Sequence, residues 1–145
     1  MEKIYISSDH TGVEMKLAIA DHLKTKGYEV IIMGNSDATA CSYANNGIEL
    51  AEAVVSNKGS LGIAICGTGV GISIAANKVK GARAGLVYET QTAELIRQHN
   101  NANILATGAR LIAVDKAIKL VDIFLSTPFE GGRHQERVEV IDNYE

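Results

Sequence analysis

The chain has no tryptophan, a single proline (Pro128) and two cysteines, Cys41 and Cys66, among its 145 residues. Two cysteines cannot build a disulfide framework. With no CxxC pair and no His or Cys cluster at metal-ligand spacing, a structural zinc site is not expected. Aromatic residues amount to 5%, too few for a base-stacking surface, and a net charge of −3 leaves no basic footprint for nucleic acid. No apolar run approaches the ~20 residues needed to cross a membrane, and the opening MEKIYISSDH lacks the apolar stretch of a signal peptide. A cytoplasmic protein with no membrane partner is the expectation. No internal repeat, low-complexity run or linker divides the sequence. Its hydrophobic content of 46% and charged content of 21% suit one globular domain covering residues 1–145.

What is present is a regular alternation. Short apolar segments at Lys3–Ser8, Tyr28–Met33, Leu61–Ile65, Ala82–Val87 and Ile104–Thr107 read as five strands. Between them lie helical spacings. Val13, Leu17, Ala20 and Leu23 give one face ahead of Gly27. Asn46 is a candidate cap for a helix carrying Ile48, Ala51, Val54 and Val55. Thr90 or Thr92 can cap a short helix through Leu95 and Ile96. Lys116–Ser126 repeats the pattern before Pro128, and Val138–Ile141 is a last apolar-periodic segment. Residues 34–46 read as a polar loop long enough to suggest a functional role. Five strands alternating with helices predict a three-layer α/β/α sandwich around a parallel, Rossmann-like sheet.

The densest stretch is Leu61–Lys78. An apolar strand ends at Cys66, Gly67, Gly69 and Gly71 alternate behind it, and Ile72–Asn77 reads as a helix. A strand, a glycine turn and a helix start leave backbone N–H groups facing whatever sits there. The dinucleotide fingerprint GxGxxG fails at its third glycine, where Ile72 stands, although Glu89 lies near the distance expected of a ribose-binding acid. A Walker A motif is absent. Cys66 has two readings: a packing thiol, or a thiolate favoured by the helix start. Cys41 reads as incidental.

In such a sheet, ligands bind beyond the carboxyl ends of the strands. That rule gathers Asp9, His10, the 34–46 loop, the Cys66–Gly71 turn (Cys66, Gly67, Thr68, Gly69, Val70, Gly71), Glu89 and Arg110. His99 and Asn100 follow a helix that returns from the fourth strand, so they belong at the opposite edge; if they serve the site, they come from a neighbouring chain. Each residue also has a bland reading. Asp9-His10 can cap a helix, His99 can be a cation at a helix C-terminus, and Arg133 and Arg137, four apart, can be a solvated patch. Two guanidinium forks are also what a phosphate monoester requires.

Together these residues resemble the family of ribose-5-phosphate isomerase B and the galactose-6-phosphate isomerase subunits, nearly end to end. The resemblance is carried by Ser8-Asp9-His10, by Cys66-Gly67-Thr68-Gly69-Val70-Gly71-Ile72-Ser73-Ile74-Ala75-Ala76-Asn77-Lys78, by Arg97-Gln98-His99-Asn100 with Asn103, and by Glu130-Gly131-Gly132-Arg133-His134-Gln135 with Arg137. It implies a cofactor-free and metal-free aldose–ketose isomerase that acts on a sugar phosphate through an enediolate. By the same resemblance Cys66 is the base that moves a proton between C2 and C1. Thr68 holds the base or bonds the sugar, and His99 opens the ring. Asp9 and Asn100 contact sugar hydroxyls, while His10, Arg110, Arg133 and Arg137 hold phosphate and ligand. The family implies a homodimer, with further pairing to a tetramer left open, with sites at the subunit interface and the tail 128–145 contributing to interface and phosphate site. Where relatives typically read Asp-Tyr-Pro, this chain has Ser42-Tyr43-Ala44, with Tyr43 a substrate-contact candidate. A pentose 5-phosphate is the first expectation for substrate and a hexose 6-phosphate the second. The rival from another class is a non-catalytic sugar-phosphate or nucleotide-binding domain, which would need the arginines but not Cys66, His99 and Asp9 together.

Overall fold

The computed structural model describes residues 2–37 and 39–145. Ala38, within the predicted polar loop, lies outside the described residues, as does Met1. Among the described residues five strands form: β1 (Lys3–Ser8), β2 (Glu29–Ile32), β3 (Leu61–Cys66), β4 (Ala84–Leu86) and β5 (Ile104–Gly108). Six helices accompany them: α1 (Val13–Thr25), α2 (Tyr43–Ser56), α3 (Val70–Ala76), α4 (Thr90–Gln98), α5 (Val114–Ser126) and α6 (Arg133–Asn143). All strand pairs are parallel, in the order β2-β1-β3-β5-β4. No helix among the described residues is long and apolar enough to cross a membrane.

Side-chain alternation along the strands builds two cores. Ile4 and Ile6 of β1, Ile63 and Ile65 of β3 and Leu105 of β5 pack with α1, α4 and α5. Tyr5, Ala64, Cys66, Ile104 and Ala106 point to the other face, against α2 and α3. Because β3 is covered on both sides, all six of its residues are buried, which is why it reads as an unbroken apolar run. The chain moves from β1 to β2 on one side, then crosses back to β3 on the other. This reversal opens a crevice at the carboxyl ends of β1 and β3. Asp9 and Cys66 sit there, and the Asp9 amide donates to the Ile65 carbonyl at 3.1 Å.

Several boundaries differ from the sequence expectation. Helix α2 starts at Tyr43, not after Asn46: Ser42 is the cap, its hydroxyl accepting from the Asn45 amide. Asn46, inside the helix, instead donates to the Ser8 carbonyl at 3.0 Å and to Asn35 Oδ1 at 3.2 Å. Neither Thr90 nor Thr92 caps α4; Glu89 occupies that position without a side-chain cap bond. Helix α3 begins two residues earlier than predicted, at Val70, because Gly69 takes the left-handed conformation (φ 80°) that starts it. The last apolar-periodic segment is the end of a longer helix, α6, which carries both Arg133 and Arg137.

The buried face of α1 is also shifted. It consists of Met15, Lys16, Ile19, Ala20 and Leu23, while Leu17 is exposed. A period of 3.6 does not suggest a lysine inside, yet Lys16 is fully buried. Its ammonium donates to the Met33 carbonyl at 2.9 Å and to the Asn35 carbonyl. Burial pushes the Lys16 ammonium below its ordinary value, with Cys41 acting weakly in the other direction. Lys16 thus fastens the loop after β2 to the body of the fold.

Lys16→Ala removes the packed stem and leaves two carbonyls without their donor. A loss of about 3 kcal/mol in urea unfolding is expected at neutral pH. The sign of the pH dependence follows from linkage. The folded chain binds the Lys16 proton more weakly than the unfolded chain. Wild-type stability therefore gains, relative to the variant, as pH rises toward the ordinary lysine value of 10.5. A gap that stays constant or narrows over that range would show that Lys16 does not carry a buried charge.

Candidate active site

The turn between β3 and α3 is built by constraint. The Cys66 carbonyl accepts from Ala109 at 2.9 Å and the Gly67 carbonyl from Arg110 at 3.0 Å, which locks the turn to the chain leaving β5. Gly69 has no room for a side chain, since a Cβ there would lie 2.6 Å from the Thr107 carbonyl carbon and 2.6 Å from Leu86 Cδ1. The Gly69 amide donates to Cys66 Sγ at 3.1 Å, and the Val70 amide to Thr68 Oγ1 at 3.1 Å. Two of the turn's donors are therefore engaged within it, one of them on the thiol. Cys66 is only 5% exposed, while Thr68 and Val70 face outward.

Around this turn stand Tyr43, Tyr88 and Arg110. The Tyr43 ring lies against Gly71, where a Cβ would overlap it. A Cβ on Gly67 would meet Arg110 Cδ at 3.4 Å, so that side chain lies over the turn. The sequence does not single out Tyr88 for the site. Its hydroxyl donates to the Thr68 carbonyl, and burial, then the charge of Cys66, pushes its phenol above the ordinary tyrosine value. The signal for it was positional: Tyr88 lies two residues past β4, at the carboxyl edge. Glu89, weighed as a ribose-binding acid, instead pairs with Lys116 at 2.9 Å.

Asp9 and His10 close the other side of the crevice. Asp9 is the cap of a short 3₁₀ turn, His10–Gly12, accepting from the Thr11 amide at 2.9 Å and the Thr11 hydroxyl at 2.6 Å. The capping reading is thus realised, and it leaves the second carboxylate oxygen for other bonds. Among the described residues, the buried polar atoms without a partner are Ser7 Oγ, Ser8 Oγ and His10 Nδ1. All three come from the carboxyl end of β1 and the turn after it, Ser7 and Ser8 on opposite faces of the sheet. Unsatisfied buried groups are costly, and their concentration here suits a place where a polar ligand binds.

His99, Asn100, Arg133 and Arg137 form a separate group, lining one cavity of about 350 Å³ with His134, Val138 and Ile141. His99 ends α4, and the chain then enters β5 at Ile104, which pairs with Gly62; Cys66 pairs with Gly108 at the far end. Five strand residues at about 3.3 Å each put the two groups on the order of 15 Å apart along the sheet. Within one chain His99 does not reach Cys66. The tail is pinned beside His99 by Arg97 Nε to the Thr127 carbonyl at 3.2 Å and the Glu130 amide to the Gln98 carbonyl at 3.1 Å. The His99 and His134 rings stack at 4.2 Å and 13°. Partial burial, then the charges of His99, Arg133 and Arg137, hold the His134 imidazole below its ordinary value, with Glu130 opposing. The sequence showed no His or Cys cluster at metal spacing, but folding brings the donor atoms of His99, Glu130 and His134 within 4.8 Å of one another. Glu130 and His134 are four residues apart, and tertiary packing brings His99 to them.

The model of the ribose/galactose isomerase family matches residues 4–141. The chain belongs to that family. It is 45% identical over 141 residues to the ribose-5-phosphate isomerase B of Escherichia coli, covering 97% of this chain and 95% of that one. Among solved structures, the ribose-5-phosphate isomerase B of Clostridium thermocellum superposes with a TM-score of 0.94 at 49% identity, over 97% of this chain and 95% of that one. The Mycoplasma genitalium ribose-5-phosphate isomerase B with bound ribulose 5-phosphate superposes with a TM-score of 0.95 at 46% identity, over 98% and 95% of the two chains. This family membership accounts for the sheet, the glycine turn and the tail in one chain. The Ser42-Tyr43-Ala44 difference also finds a local explanation. Ser42 caps α2 as an aspartate would, and Ala44 sits in the first helical turn, where proline is tolerated.

Proposed function

We propose that the protein interconverts ribose 5-phosphate and ribulose 5-phosphate. The observation that carries this is the Cys66 thiol, held by the Gly69 amide at the switch-point crevice, in a chain whose M. genitalium relative was solved with ribulose 5-phosphate. Cys66 as thiolate takes the C2 proton of the open-chain aldose, leaving an enediolate, and returns a proton to C1 as the O2 proton passes to O1. Backbone N–H groups of the turn, with Thr68 at its rim, stabilise the developing oxyanion. Asp9 and Asn100 hold sugar hydroxyls; His10, Arg110, Arg133 and Arg137 hold the phosphate.

The separation of the two groups supports a homodimer. One copy supplies Cys66, Asp9 and His10, and the other supplies His99, which opens the sugar ring, with Asn100, Arg133 and Arg137 from its α4 end and tail. The exposed Val140, Ile141 and Tyr144 of α6 and its end give that tail an apolar surface for the contact. Since capping chemistry explains Ser42 and Ala44, the preference for a pentose over a hexose phosphate is retained.

A complementation assay tests both substrate and assembly. Cys66→Ala and His99→Asn chains should each be nearly inactive on ribose 5-phosphate. Refolded together in equal amounts, they should recover about a quarter of wild-type turnover, because half of the dimers are mixed and each mixed dimer holds one intact site. No recovery would reject the shared site, and no wild-type turnover on ribose 5-phosphate would reject the substrate.

A further inference from the structure

We propose that His99, Glu130 and His134 form a binding site for a borderline transition-metal ion such as Zn²⁺, and that the bound ion switches the isomerase off by occupying His99. The second part rests on the function proposed above; the first does not.

Two imidazoles and one carboxylate are a donor set that zinc takes, with further positions left open. The three donor atoms lie within 4.8 Å of one another. His134 Nε2 lies 3.6 Å and His99 Nε2 3.9 Å from Glu130 Oε1. Ligand atoms on a tetrahedral zinc lie about 3.4 Å apart and each imidazole aims an in-plane lone pair at the ion, so binding turns the two rings out of their near-parallel stack to converge on it. The stacked rings already present both Nε2 atoms to the same carboxylate oxygen. Among the described residues, Glu130 forms no ion pair with lysine or arginine; both of its ion-pair partners are these histidines. A carboxylate beside Arg133 and Arg137 that pairs with neither remains available to a cation. Its anchor is firm: the Glu130 amide is tied to the Gln98 carbonyl, one residue before His99. His134 is only 12% exposed, which shields an ion bound there from water. Arg133 and Arg137, lining the same cavity, disfavour a bare dication but suit an anionic fourth ligand such as chloride or phosphate.

The same three residues explain why the ion inhibits. Ring opening needs a free nitrogen on His99 to move a proton, and a metal-bound Nε2 has no lone pair to offer. The isomerisation as proposed routes no step through a metal, so the ion acts only as an inhibitor.

The test uses the full-length protein freed of metal by a chelator and titrated with Co²⁺ and Zn²⁺. One Co²⁺ per chain should bind with visible d–d bands and without thiolate-to-cobalt charge transfer in the near ultraviolet. Glu130→Gln and His134→Gln should each weaken Zn²⁺ binding by roughly tenfold or more, while Cys41→Ser should leave it unchanged. Unaltered binding in both ligand variants, or a charge-transfer band marking Cys41 or Cys66, would overturn the site. Zn²⁺ should inhibit turnover of ribose 5-phosphate reversibly, and Glu130→Gln, compared with its own metal-free rate, should be inhibited only at higher concentrations. Binding without inhibition would remove the switch and keep the site. A wild-type protein that binds Zn²⁺ but never isomerises would count against the proposed function and not against the metal site.

Discussion

Cys66→Ala is expected to lower turnover of ribose 5-phosphate by about a thousandfold while the protein stays folded. The size follows from the step removed. Without a base at C2 only water remains to take the proton, and general-base groups contribute about 10²–10⁴ in rate. Deuterium from solvent should enter the product with the wild type and fail to do so with the variant, because the exchangeable proton passes through Sγ. The packing reading of the same residue predicts a different result. A thiol that only fills space between β3 and α3 would, when trimmed to a methyl, cost some stability and leave turnover intact. The structure gives both readings something: Cys66 is almost fully buried among Ala64, Ile72 and Ala106, yet its sulfur accepts the Gly69 amide. Cys66→Ser separates them further. It keeps an acceptor for that amide and most of the volume, but a hydroxyl is far less acidic than a thiol. It should restore the stability lost in Cys66→Ala and none of the rate. Full activity in either variant would remove Cys66 as the base.

The fold was legible where burial is one-sided or complete. β3 is covered on both faces and announced itself as a continuous apolar run; α5 presents one apolar stripe and was read from its spacing. Errors fell where a polar side chain does structural work inside. Lys16 spoiled the expected face of α1 because its ammonium is satisfied by two carbonyls that no local pattern reveals. Asn46 looked like a cap and is a bridge to β1, whereas the true cap, Ser42, lay inside what read as loop. The strand order, with β5 inserted between β3 and β4, has no signature in periodicity.

For the site, the Cys66 turn was visible because its glycines are spaced for one tight bend. The grouping of His99 away from Cys66 followed from a simple rule, that a helix after a parallel strand returns to the opposite edge. Tyr88 was missed since a lone tyrosine past a strand carries no spacing, and the His99–Glu130–His134 cluster was missed since it spans residues 99 to 134.

Gly69→Ala is the second large effect expected, and it falls on stability and rate together. Left-handed backbone at φ 80° costs a non-glycine residue about 1–2 kcal/mol. Cβ positions 2.6 Å from Leu86 Cδ1 and from the Thr107 carbonyl carbon add an overpacking cost of about 1–3 kcal/mol, because the backbone atom cannot swing aside as a side chain would. The sum, about 3 kcal/mol, is a large part of the roughly 5–15 kcal/mol that holds a typical domain together, and urea unfolding should report it. Gly27→Ala is the matched control. Gly27 has φ 93° and nothing within 4 Å of where its methyl carbon would stand, so it should carry the backbone cost alone. The excess of Gly69→Ala over Gly27→Ala isolates the packing of the turn against β4 and β5. The rate should fall in the first variant only. Relieving the overlap moves the Gly69 amide away from Cys66 Sγ, and the sulfur loses the donor that holds it toward the crevice. Equal destabilisation in the two variants, or an unchanged rate in Gly69→Ala, would show that the turn tolerates a methyl and that its narrowness is not what holds the thiol in place.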